Sequence, residues 1–215
     1  MIDPVVDEKA QKNTSKRLNW SFLLIVAVFV LPFFILPFVM PPETMKKSNK
    51  GTFIEPYVSF AELNLKSLQG FEVQQSALSD KWKLVYLMPS ICGEACKNAL
   101  FTLRQVPQSL DRDVGRVESM VVMSGEGNSS ELLSLLEYQF PSLMVFYADG
   151  GDIVRAFAQS IPEENIVDAG YIFLMSPDGY IFMRYDSYAD EQESIMKAKD
   201  IRKDLKTTLK GELKK

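Results

Sequence analysis

The stretch 86-YLMPSICGEACKNAL-100 holds both cysteines of a 215-residue chain that contains no histidine. The apolar run that leads into it, "KLVYLM" at 83–88, is halted by Pro89 and suits a buried strand. Beyond the cysteines, Leu100, Leu103, Val106 and Leu110 recur at helical spacing, with Pro107 expected to bend or end the helix early. Cys92 therefore follows a strand and precedes a helix, where unpaired N–H groups and about half a positive charge stabilise a thiolate. Thiols so placed are acidified and react as nucleophiles. Cys96 lies one helical turn on, and α-carbons a turn apart approach the roughly 4.4–6.8 Å that a disulfide spans. Gly93 is expected to give the loop backbone freedom, and Glu94 to offset part of the thiolate stabilisation. Two soft thiolates at this spacing could also hold Cu(I). Two inert cysteines that are neighbours by accident are the poorer account of such a junction.

Upstream, "LNWSFLLIVAVFVLPFFILPFVM" (18–40) runs without a charge. That length can cross a hydrocarbon core of about 30 Å. Pro32 and Pro37 should kink such a helix, which a membrane tolerates, and Trp20 sits where an interfacial aromatic belongs. A cleavable signal peptide would have a shorter apolar core and a small-residue cleavage site. Here the run exits through Pro41 and Pro42 instead. Lys9, Lys12, Lys16 and Arg17 precede the span and Lys46, Lys47 and Lys50 follow it, a slight bias toward a cytoplasmic N-terminus. The expected organisation is a cytoplasmic tail (1–17), a transmembrane anchor (18–40), a linker (41–52, "PPETMKKSNKGT") and one globular domain (53–215). That domain would face the periplasm from the inner membrane, where a cysteine pair can be oxidised.

Charge is unevenly spread. Residues 51–195 carry 9 basic and 21 acidic groups, whereas 196–215 carry 8 basic and 3 acidic. An acidic domain lacks the basic face that nucleic acid requires. Its plain meaning is solubility, and its sharper one a field that attracts a cationic partner.

Within the domain, "VESMVVMS" (117–124) reads as a second buried strand. "GEGNSS" reads as a loop with Ser129 or Ser130 as N-cap, and "ELLSLLEYQF" (131–140) as a helix stopped by Pro141. "SLMVFYA" (142–148) suits a strand ended by a turn at Asp149-Gly150-Gly151. "YIFLMSPDGYIFMRY" (171–185) is a hairpin about Ser-Pro-Asp-Gly. A helix from about Asp190 carries Ile195, Ile201, Leu205 and Leu209 as an apolar stripe under a basic face. Strands alternating with helices indicate an α/β sheet. A terminal hairpin followed by a helix is the thioredoxin-like arrangement.

The cysteine loop resembles that of the Sco/SenC family, membrane-anchored thioredoxin-like proteins that help assemble the copper centre of cytochrome c oxidase. A second block, "IVDAGYIFLMSPDG" (166–179), resembles the family's Val-Asp-His segment and the apolar strand after it, which ends in Asp-Pro-x-Gly. The resemblance implies that Cys92 and Cys96 are the functional pair. It also implies a third copper ligand, a histidine, at the position that holds Ala169 here. A two-cysteine Cu(I) site remains open, with Met88 or Met175 as a helping thioether against the plainer reading of methionine as core filler. Cu(II) is disfavoured without imidazole.

The resemblance makes the protein an accessory factor in oxidase biogenesis, with an oxidase subunit or a copper chaperone as partner. Three functions are carried forward. The first is thiol–disulfide exchange, with Cys92 attacking and Cys96 resolving. The second is a Cu(I) metallochaperone, and the third a non-catalytic assembly factor or accessory subunit. Asp168 is a candidate proton acceptor near the thiols or, more plainly, a loop cap. Asp178 belongs to turn chemistry. "NSS" at 128–130 matches a glycosylation sequon, which has meaning only in a eukaryotic secretory route. Without histidine the usual hydrolase triads are excluded.

Overall fold

The computed structural model describes residues 25, 26, 28, 30, 49–74, 78, 80–124, 130–162 and 165–212. The chain divides into two compact units, Met1–Lys47 and Ser48–Lys215. In the first, Ile25, Val26, Val28 and Val30 are helical; the rest of the expected anchor and the Ser129 cap lie outside the described residues. Among the described residues no helix is long and apolar enough to cross a membrane.

The second unit is built on a six-stranded sheet. Its strands are β1 (Thr52–Ser59), β2 (Trp82–Met88), β3 (Val117–Ser124), β4 (Met144–Ala148), β5 (Ile172–Met175) and β6 (Tyr180–Tyr185), in spatial order β1-β6-β5-β2-β3-β4. β2, β3 and β4 are parallel; β5, β6 and β1 join antiparallel. The helices are α1 (Glu94–Gln108), α2 (Ser130–Gln139), α3 (Gly150–Phe157) and α4 (Glu191–Glu212). The expected strand, cysteine loop, helix, hairpin and closing helix are therefore all present.

β2 is apolar throughout because both faces of the sheet are covered. Trp82, Leu84, Tyr86 and Met88 point to one face, where α1 and the Ile201, Leu205 and Leu209 stripe of α4 pack. Val85 and Leu87 point to the other, against Ile153 and Phe157 of α3. Each such side chain contributes about 1.5–3 kcal/mol by leaving water. Lys83 is the exception in this strand. Its residue is 1% exposed, and its ammonium reaches Glu118 on β3 at 3.0 Å.

Pro107 does not end α1 early; it sits in the last turn. Lacking an N–H, it leaves the Leu103 carbonyl one turn back without its helical donor. The Ser119 hydroxyl of β3 donates to that carbonyl at 2.7 Å instead.

Asp149-Gly150-Gly151 is not a simple turn. Asp149 is the N-cap of α3, its carboxylate accepting from the Gly151 amide at 2.8 Å. β1 has no counterpart in the expected elements. Pro56 interrupts its pattern, and its pairing with β6 slips between Phe53 and Val58, which suits an edge strand. A buried carboxylate fixes its start: Asp204 Oδ2 on α4 accepts from the Lys50 and Gly51 amides at 2.8 and 2.9 Å and from the Tyr185 hydroxyl at 3.0 Å.

Candidate functional site: the Cys92–Cys96 loop

Cys92 and Cys96 are joined in a disulfide with their α-carbons 5.1 Å apart. β2 ends at Met88, Pro89 to Gly93 turn outward, and α1 begins at Glu94 with Gly93 as N-cap. Cys96 is thus in the first turn of α1, and Cys92 immediately precedes the cap. The two residues differ in exposure. Cys96 is buried, 2% exposed, in the core between α1 and the sheet, whereas Cys92 is half-buried and packs against that core from its edge. Of the two residues, Cys92 is the more open to solvent. Beside Cys92, Ile91 stands 86% exposed.

Gly93 differs from expectation. Its φ is −83°, which any residue adopts, and nothing lies within 4 Å of where a β-carbon would be. The glycine that the site requires is Gly170. It has φ +65°, and a β-carbon there would meet Ser187 Oγ at 3.1 Å and the Tyr86 hydroxyl at 3.5 Å. Glu94 is also less of a burden on a thiolate than its charge implies, because Lys97 pairs with it at 2.8 Å.

The second motif block meets the first in space. The Ser90 amide donates to Asp168 Oδ1 at 2.9 Å, and the Leu87 amide donates to the Tyr171 carbonyl at 3.1 Å. Asp168 is therefore the loop cap, and its exposed carboxyl is held below the usual carboxylate range, foremost by the Ser90 amide. Tyr86, from β2, passes beneath the loop. Its buried hydroxyl faces Ser187, and burial pushes its pKa up. Sequence reading missed Tyr86 and Gly170, since an aromatic in a strand and a glycine before one are unremarkable alone.

As metal donors, the two sulfurs would be available only once reduced. Among the described residues no third histidine, cysteine, aspartate or glutamate joins them, and Ala169 offers no donor. Met88 lies in the same core cluster as Cys96. Met175 lies in the cluster on the opposite sheet face and pairs with Lys83 at the far end of β2. It cannot assist the cysteines. Once reduced, two thiolates without imidazole would be a soft donor set of the kind Cu(I) accepts and Cu(II) does not favour.

The chain belongs to the family described as "transmembrane-like, thioredoxin-like, C-terminal domain", whose model matches residues 82–211. The thioredoxin-like expectation is thereby borne out. Among solved structures, the chain is similar to copper-bound ScoI of Arabidopsis thaliana, at 20% identity over 68% of this chain and 97% of that one, TM-score 0.47. It is similar to the apo Sco1 protein of Thermus thermophilus, at 18% identity over 73% and 93%, TM-score 0.49. An uncharacterised thioredoxin-like protein of Porphyromonas gingivalis aligns at 22% identity over 66% and 90%, TM-score 0.46. No curated protein sequence matches the chain.

Proposed function

We propose that this protein is a membrane-tethered thiol–disulfide exchange factor of the Sco/SenC type, acting in cytochrome c oxidase assembly. The observation that carries this reading is the unequal exposure of the two linked cysteines at the head of α1. Cys92 is half-buried, while Cys96 is enclosed. The bond from the Ser90 amide to Asp168 supports it, since it joins the two sequence blocks on which the Sco/SenC resemblance rests.

In the reduced form, the Cys92 thiolate attacks a partner disulfide and releases one partner thiolate, which takes up a proton. Cys96 then loses its proton and attacks Cys92, freeing the second partner thiol. Two electrons pass to the partner, and the Cys92–Cys96 disulfide forms. A dithiol donor must then reduce it again. The partner in this reading is a copper-site cysteine pair of an oxidase subunit or a copper chaperone. Residues 18–40 serve as anchor and the domain faces the periplasm.

A second reading, carriage of Cu(I) as cargo, is favoured by the same two sulfurs with Met88 in their core cluster. Replacing both cysteines with serine in cells tests the proposal. Loss of oxidase copper and activity is expected; an unchanged oxidase would leave only a scaffolding role.

A further inference from the structure

Helices α1 and α4 lie side by side and run in the same direction. Asn98 Nδ2 at the start of α1 donates to the Tyr188 and Ala189 carbonyls, just before α4, at 3.1 and 3.0 Å. At the other end, Arg202 Nε of α4 donates to the Ser109 carbonyl, just past α1, at 2.9 Å. Between these two tie points the helices leave an open groove of about 540 Å³.

Its near end begins at Asn98, two residues beyond Cys96. Its wall there is apolar, with Phe101 and Ile195 each 41% exposed and Val106 and Ala198 behind them. Its far end is cationic, lined by Lys199 and Arg202, with Lys206 one turn beyond. Asp111 pairs with Lys206 at 2.8 Å and Arg202 at 3.5 Å, while Lys199 makes no ion pair among the described residues. Glu191 stands at the near end and Asp200 on α4 beside Lys199. The eleven helical rises from Asn98 to Ser109 correspond to about 16 Å.

We infer that this groove is the docking site for the protein that exchanges thiols with Cys92. The occupant is an apolar segment that carries carboxylates about 15 Å from its reactive cysteine, some five extended residues away. The inference rests on the exchange reading above. Two features select this occupant: the apolar wall starts at the disulfide's own helix, and the positive end favours an acidic chain. Charge of this kind acts mainly on the rate of association.

The full chain, in mild detergent, is tested with synthetic peptides that carry two cysteines. One has a leucine–glutamate tail, one a leucine–lysine tail and one a glycine–serine tail. Each peptide dithiol gives up two electrons and two protons, becomes a disulfide and reduces Cys92–Cys96. The reaction is followed by acid quench and thiol alkylation, with dithiothreitol as the tail-free reference.

The leucine–glutamate peptide is expected to react about tenfold faster than the other two. That advantage should vanish in Ile195→Asp and Lys199→Glu, while their dithiothreitol rates stay at wild type and show the fold intact. Equal rates for the three tails would overturn the groove and leave exchange standing. A faster lysine tail, or protection of the groove by self-association of the chain, would also overturn it. A disulfide that neither dithiothreitol nor any peptide reduces would instead remove the exchange reading.

Discussion

The amide of Ser90 donates to the carboxylate of Asp168 at 2.9 Å across 78 residues of chain, and this bond holds the cysteine loop against the turn that leads into β5. Asp168→Ala frees that amide. The bond is exposed, so the expected loss is small, about 0.5–1 kcal/mol. Hydrogen exchange is the sharper readout: the Ser90 amide should lose protection while the centre of β2 keeps its own.

The same bond has a pH signature. The folded carboxyl of Asp168 lies below its ordinary value of 3.8. A depressed acid stabilises the folded state above its unfolded pKa, and that contribution fades as pH falls through the folded one. Protection of the Ser90 amide should therefore be constant from pH 7 to about 5 and fall below about pH 4. Asp168→Asn should remove the pH dependence.

Gly170 and Gly93 should respond to alanine to very different degrees. At Gly170, positive φ and the 3.1 Å approach to Ser187 make Gly170→Ala cost about 1–2 kcal/mol. At Gly93 the backbone is ordinary and the space open, so the change should stay within about 0.5 kcal/mol. Urea denaturation of the two variants, read at constant m, checks the contrast.

Much of this architecture is legible in the sequence because periodicity carries it. β2, β3, the 171–185 hairpin and the helix stripes of α1 and α4 are written in their apolar spacing. Other features depend on tertiary partners. Pro107 signals a helix end, yet α1 keeps its last turn, and the Ser119 hydroxyl from β3 satisfies the carbonyl that the proline leaves open. Asp149-Gly150-Gly151 reads as a turn because an N-cap and a turn use the same residues. Met175 could be set beside or away from the cysteines only once its sheet face was known. Within the site, the cysteines announce themselves, whereas Tyr86 and Gly170 acquire meaning from their contacts.

Asp204 is a buried carboxylate that ties the start of β1 to α4. It is 1% exposed, and one oxygen receives two amides and the Tyr185 hydroxyl while the other has no partner among the described residues. Asp204→Ala removes the acceptor shared by two amides and the Tyr185 hydroxyl and should cost about 3 kcal/mol. Tyr185→Phe, which removes one donor and leaves the amides paired, should cost about 1 kcal/mol. Thermal unfolding of both variants orders them.

By the resemblance of residues 166–179 to the Sco/SenC block, Ala169 would stand where that pattern has a copper-binding histidine. Ala169→His should create a Cu(II) site with visible sulfur-to-copper charge-transfer absorption in the reduced protein. The wild type should show no such band, and Cys92→Ser should abolish it in the variant. An absorption spectrum during Cu(II) titration reads all three.

The central claim is that the Cys92–Cys96 bond is a working redox couple, and its reduction potential tests that claim most directly. Full-length protein equilibrated in thiol–disulfide buffers and alkylated after acid quench gives the oxidised fraction at each potential. The account predicts a two-electron titration between about −120 and −270 mV, where exchanging pairs lie. A midpoint below about −300 mV, the range of structural disulfides, would make the bond a fixed staple and contradict the account.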